Sequence, residues 1–184
     1  VAGDDLGEDT RLAAATGAWI VFEDEAGQNL RPPKARTWAP RGRTPVVTVS
    51  GKGPGRVSVA GLVCLRPGAR SHLFYRVRIH RGRRGERRSM SEADYAGLIT
   101  AAHQELQAPV ILIWDNLNTH ISAVMRAFIQ AHPDWLTEVR LPSCAPELNP
   151  AEGAWANMKD GMGNLAAADV DRLAAIIKNR LKRI

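Results

Sequence analysis

Five consecutive apolar residues, Val110-Ile111-Leu112-Ile113-Trp114, stop abruptly at Asp115-Asn116. The run is too short for a typical helix and shows no polar alternation, so it reads as a strand buried on both faces. That condition is met at the centre of a parallel sheet, where crossover helices cover each face. Sites in open α/β sheets lie beyond the carboxyl ends of such strands, and Asp115 falls there. An Asx turn leading into the next helix is the plainer reading of the same two residues.

The neighbouring segments fit around this strand. Residues 18–22 read as a short buried strand ending in Glu23-Asp24-Glu25, 46–50 as a second strand and 57–65 as a third. Residues 73–79 alternate apolar and basic side chains, as a strand with one wet face does. The glycines and lysine of 51–55 lack the Walker order and sit between strands, so they read as a hairpin turn. Ser91 and Asp94 form a shortened capping box opening a helix to about Leu106. A helix over 121–131, a strand over 136–141, a helix started by Asn149-Pro150 and an amphipathic helix over 169–183 complete the order. Strands in a meander followed by alternating helices and strands predict an α/β fold: a mixed central sheet flanked by helices.

The 184 residues suit one domain with a sizeable core. No apolar run approaches the length of a membrane span, and the early acids Asp4, Asp5, Glu8 and Asp9 are the reverse of a secretory signal. Cys64 and Cys144 lack the CxxC spacing of zinc or redox sites. A soluble intracellular protein with reduced cysteines, not engaged with a membrane, is expected. Charge is uneven: nine arginines and one acid lie between Arg66 and Arg88, +8 within a chain of net +6, which leaves −2 elsewhere. Basicity confined to one stretch, all of it arginine, suits a surface facing a polyanion; a solvated loop is the alternative.

Three carboxylates occupy positions where chemistry is plausible. Asp24 shares a strand face with Ile20 and Phe22, while Glu23 and Glu25 share the other with Val21. Pattern alone leaves the choice of acid open, and a strand end entering solvent explains all three. Asp115 has its Asx-turn alternative. Glu152 stands three residues after Asn149, so a capping box accounts for it equally well. Together the three would make a hard-cation site of the kind that phosphoryl transfer uses.

Val21 to Glu25, Thr37-Trp38-Ala39-Pro40-Arg41-Gly42, Trp114-Asp115-Asn116 with His120, and Leu141-Pro142 through Ala145-Pro146-Glu147-Leu148-Asn149-Pro150-Ala151-Glu152 to Trp155 and Lys159 together resemble the catalytic domain of DDE transposases of the mariner superfamily, in its bacterial insertion-sequence branch. The 36 residues between Asp115 and Glu152 fit that family's spacing. The resemblance implies a ribonuclease H-like fold with Asp24, Asp115 and Glu152 as the catalytic and metal-binding triad, and Glu23, Glu25 and Glu147 drop out as competitors. It implies two Mg²⁺ or Mn²⁺ ions, DNA cleavage and strand transfer, transposon ends and target DNA as partners, and a homodimer on DNA. A carboxyl raised by mutual repulsion is expected within the triad when metal is absent. Arg76, Arg78, Arg81, Arg83, Arg84, Arg87 and Arg88, with His120 and Lys159, become the expected DNA contacts, and a bacterial cytoplasm, with the nucleoid as its place when bound, the expected location. Residues 1–184 would be one catalytic domain lacking the N-terminal helix-turn-helix modules of that family: an excised domain, a product of a split frame, or a remnant. The rivals are an inactive DNA-binding or dimerising remnant and a host nuclease acting on RNA–DNA hybrids.

Overall fold

The computed structural model describes residues 13, 16–33, 36, 38–46, 48, 55–142 and 149–184. Its elements are β1 (Trp19–Asn29), β2 (Arg56–Leu65), β3 (His72–His80), α1 (Glu92–Leu106), β4 (Val110–Trp114), α2 (Ala123–Gln130), β5 (Leu136–Arg140), α3 (Ala151–Asp160) and α4 (Val170–Leu181). The strands form one mixed sheet in the order β3-β2-β1-β4-β5. β1 and β4 run parallel with Val21 opposite Leu112 and Phe22 opposite Ile113, and β4 runs parallel to β5 with Ile113 opposite Val139. β4 is buried along its whole length, as its unbroken apolar run predicts.

The chain divides into two compact units. The first comprises Val1–Glu25, Ala60–Arg76 and Met90–Glu152. Here the period-2 alternation of the strands sorts side chains onto two cores. Trp19, Val21, Leu112 and Trp114 pack with Tyr95, Leu98, Ile99 and Ala102 of α1 and with Met125 of α2. Ile20, Phe22, Ile111 and Ile113 face the other way and pack with Ala13, Ala18 and Leu141. α1 starts at a full capping box: the Asp94 amide bonds the Ser91 hydroxyl, and the Asp94 carboxylate accepts from the Ser91 amide at 2.8 Å. Ser122 caps α2, its hydroxyl accepting from the Met125 amide.

The second unit comprises Ala26–Val59, Val77–Ser89 and Gly153–Ile184. Its α4 buries Val170, Leu173, Ala174, Ile177 and Leu181 on one stripe and takes Asp169 as its N-cap. Gly55 lies so close to Val170 that an added Cβ would come within 2.9 Å of the valine side chain, so the close approach requires glycine.

Two sequence expectations change. The first strand does not end at the acids: β1 continues through Glu23, Asp24 and Glu25 to Asn29. Of the strand expected over 46–50, Val46 and Thr48 are exposed and outside any strand, and the other three residues lie outside the described set. The turn at 51–54, Glu147 and Cys144 also fall outside the described residues.

Candidate active site

Adjacent parallel strands bring two of the three predicted acids together. β1 and β4 pair through Phe22 and Ile113; Asp24 lies two residues further along β1 on the face of Ile20 and Phe22, and Asp115 immediately follows the end of β4. Asp24 is half-buried, and its Oδ1 accepts from the Glu25 amide at 2.8 Å. The Asp115 side chain is 63% exposed, and its Oδ1 accepts from the Leu117 amide at 2.9 Å. The Asx turn is therefore real, and it leaves the other carboxylate oxygen of Asp115 outside that turn.

Glu152 is exposed on the first turn of α3. The start of this helix is fixed by Asn149, which is buried. The Asn149 Oδ1 accepts from the Ala151 amide at 3.0 Å, and its Nδ2 donates to the Glu23 carbonyl at 3.0 Å. One amide side chain thus caps the helix that carries Glu152 and ties it to the strand that carries Asp24. Sequence spacing identifies Asn149 as a cap; the second bond depends on a strand far away in the chain and has no local signature.

Behind this acidic edge lies an inner layer built from the acids that the family pattern sets aside. Glu23 is 2% exposed and points to the side of Tyr95 and Trp114. Its Oε2 lies 3.3 Å from His120 Nε2, a close approach that falls outside hydrogen-bond alignment. His120 Nδ1 is 2.9 Å from Asp115 Oδ1 and 3.3 Å from the Asp115 carbonyl, so this nitrogen carries a hydrogen and donates to oxygen. The imidazole stacks on Trp114 with centroids 4.2 Å apart and meets the Tyr95 ring edge-on at 4.8 Å. Glu25 accepts a hydrogen bond from the Tyr95 hydroxyl. Burial, with Asp24, Glu25 and Asp115 nearby, holds the Glu23 carboxyl well above its ordinary range. Burial lowers His120, against the opposing pull of Asp115. Both directions favour a protonated Glu23 beside a neutral imidazole. The raised carboxyl expected within the triad is thus found at Glu23, one residue from it.

His120 was expected among the DNA contacts. At 2% exposure, with Nδ1 on Asp115 and its ring face on Trp114, it has no open edge for a phosphate. Its place is behind Asp115, holding that side chain. The basic residues divide as well. Arg76 pairs with Asp94 at 3.1 Å, and Arg81 with Asp171 at 2.5 Å. Arg78 is half-buried, with its Nε out of solvent. Arg83, Arg84, Arg87 and Arg88 are exposed in the turn after β3, and Lys159 is half-buried in the last turn of α3.

Asp24, Asp115 and Glu152 are hard oxygen donors, the type a Mg²⁺ or Mn²⁺ ion takes. Among the described residues no three His, Cys, Asp or Glu side chains are gathered around one point. In kind the donors fit such an ion.

The model of a family described as DDE superfamily endonuclease matches residues 19–174. No curated relative matches the sequence. Among solved structures, the chain is similar to the Mos1 transposase paired-end complex with left transposon end, with a TM-score of 0.70 and 14% identity over 98% of this chain and 52% of that one. It is similar to the Mos1 mariner paired end complex with Mn, with a TM-score of 0.65 and 15% identity over 90% of this chain and 48% of that one. It is also similar to the catalytic domain of Mos1 mariner transposase, with a TM-score of 0.56 and 13% identity over 90% of this chain and 70% of that one. The chain spans about half the length of the transposase chains in the two paired-end complexes. With the family match running from the first residue of β1 into α4, and the mixed sheet superposing on that catalytic domain, the chain belongs to the DDE superfamily of endonucleases and has the ribonuclease H-like fold of a mariner transposase catalytic domain.

Proposed function

We propose that this chain is the catalytic part of a transposase, which hydrolyses phosphodiester bonds at the ends of a DNA element and joins the 3′-hydroxyls to target DNA. The observation that supports the reading is that Asp24 lies on β1 and Asp115 directly follows β4, the parallel strand paired with it, with Glu152 on a helix tied to β1 through Asn149. When bound, two divalent ions, Mg²⁺ or Mn²⁺, supply Lewis acidity for activating water or a 3′-hydroxyl and for stabilising the leaving oxygen. Asp24, Asp115 and Glu152 are the residues to hold them, and the Mn bound in the Mos1 complex supports this choice of ion.

The chain's own groups prepare the edge for that work. The exposed Asp115 carboxylate is fixed by a backbone amide and by His120, so it meets the substrate already oriented. Trp114 and Tyr95 enclose the imidazole that holds it. The exposed arginines after β3 supply sequence-independent contacts to the DNA backbone. Joining two ends to one target requires two such sites on one DNA assembly, so the active species is a homodimer on DNA.

A plasmid assay tests the reading. Wild-type protein is expected to nick supercoiled DNA with Mg²⁺ or Mn²⁺, and a chelator or Asp115→Ala is expected to abolish nicking. Equal nicking by wild type and Asp115→Ala would remove the catalytic reading. No nicking by either, with salt-sensitive DNA binding by both, would identify a DNA-binding remnant.

A further inference from the structure

The arginine-rich turn after β3 and the last helix belong to the same compact unit, and a charged contact joins them. Arg81 places Nη2 2.5 Å from Asp171 Oδ1 and Nε 3.4 Å from Asp171 Oδ2, at the first turn of α4. The turn is ordered from within. The Oε2 of Glu86 accepts from the amides of Arg81 at 2.7 Å and Arg83 at 3.1 Å, and Gly82 and Gly85 take positive φ at its bends. Asp169 accepts from the Arg172 amide at 2.7 Å as the helix cap. The acids Glu86, Asp169 and Asp171 are therefore each committed to a donor of the protein itself.

The cations on α4 are left in excess. Arg172, Lys178, Lys182 and Arg183 are all exposed. At 100° per residue Arg172, Lys178 and the C-cap Lys182 fall within one arc of about 120°, opposite the buried stripe, and Arg183 lies in the turn just beyond. Cations in the last turn of a helix favour its dipole, which is the plain explanation of Lys178 and Lys182. It does not explain Arg172, which sits in the first turn, where a positive charge is disfavoured. Arg180 is accounted for separately, because its Nη2 donates to the Gly161 carbonyl at 2.6 Å.

We infer that the turn 81–88 and the exposed face of α4 form one phosphate-binding face for duplex DNA, held together by the Arg81–Asp171 pair. The identity of the polyanion rests on the function proposed above; the face itself rests on the geometry of this unit. From Arg172 to the C-cap Lys182 the helix extends about 15 Å, and duplex DNA carries one phosphate charge per about 1.7 Å of axis. A face of that length meets several phosphates, and the arginine turn extends it.

The test is equilibrium binding of a fluorescent random-sequence duplex across a salt series. The comparison is between wild type, Gln104→Ala at an exposed position of α1, and the triple variant Lys178→Gln/Lys182→Gln/Arg183→Gln. Each phosphate that is no longer neutralised lowers the slope of log K against log salt by about 0.9, so the triple variant is expected to lose about 2–3 from the slope while Gln104→Ala keeps the wild-type value. All three changes are at exposed positions, and an unchanged melting curve confirms the fold. An unchanged slope in the folded triple variant overturns the inference, even if plasmid nicking proceeds as proposed. A reduced slope supports it, even if no nicking is found. Single-stranded RNA displacing the duplex with the same salt dependence would overturn the assignment to duplex DNA. Asp171→Asn tests the clamp: it adds net positive charge but is expected to weaken binding, and tighter binding would show that the Arg81 pair does not organise the face.

Discussion

The most exacting test of the site concerns Asn149, which bears no charge and was legible only as a helix cap. Asn149→Asp keeps an acceptor for the Ala151 amide and adds a favourable charge at the start of α3, worth about 0.3–1 kcal/mol. It removes the Nδ2 donor and sets a carboxylate oxygen against the Glu23 carbonyl, at a cost of about 1–3 kcal/mol for a polar group left unpaired away from water. The net expectation is a loss of about 1–2 kcal/mol with the helix cap intact. Asn149→Ala loses both bonds and is expected to cost about 2–4 kcal/mol, the cap loss included. Urea unfolding gives the two stabilities, and plasmid nicking with Mg²⁺ gives the two rates. If the bond to β1 positions Glu152, a displacement of about 1 Å is enough for a loss of roughly 10²-fold. The Asp variant should then lose far more activity than the fraction of unfolded protein explains. Wild-type nicking by a destabilised Asp variant refutes the positioning role, and wild-type stability refutes the bond itself.

Two further outcomes follow from the buried groups. The Glu23 carboxyl is raised, so the protonated form is the one the fold favours. The stability this gives is complete below the unfolded value of about 4.3 and is lost as pH rises through the folded value, by up to about 1.4 kcal/mol per pH unit. Glu23→Gln should therefore gain thermal stability relative to wild type as pH rises from about 4 to neutrality; melting curves across that range that show the gain on the acid side instead would contradict the burial argument. Cys64 is buried, and its thiol is pushed up to about 12. In a Cys144→Ser background a thiol reagent near neutral pH should label it only as fast as the protein unfolds, and immediate stoichiometric labelling of native protein would refute its burial.

Local chemistry made part of this structure readable. An unbroken apolar pentad needs two covered faces, and β4 has them. Ser91 and Asp94 satisfy each other three residues apart, so the start of α1 is written in four residues. The limits lay where a residue's state depends on a distant partner. β1 runs on through three acids because Tyr95 takes up Glu25 and His120 takes the space beside Glu23, and neither partner is near them in sequence. His120 itself was expected among the DNA contacts. The aromatic slot formed by Trp114 and Tyr95 buries it, and that slot exists only once α1 packs on β4. The arginine stretch was legible as charge. Which arginines remain outward-facing was not, because Asp94 and Asp171, which engage Arg76 and Arg81, sit on separate helices.

The acid run 23–25 shows why a strand serves this site better than a loop would. Three neighbouring carboxylates on a flexible segment would share one environment and repel without distinction. In β1 the alternation separates them: Asp24 goes to the face of Ile20 and Phe22, while Glu23 and Glu25 go to the face of α1. The inward pair is then handled by burial and hydrogen bonding. Glu23 is driven towards its neutral form, and Glu25 takes the Tyr95 hydroxyl on the side of α1. His120 links the two layers, with one nitrogen on the outward Asp115 and the other beside the inward Glu23. Replacing Glu23 by an apolar residue would keep the outer pair in sequence while removing the group beneath the histidine that orients Asp115. The family pattern counts three acids, whereas the fold also gives the inner two defined partners, His120 beside Glu23 and Tyr95 on Glu25.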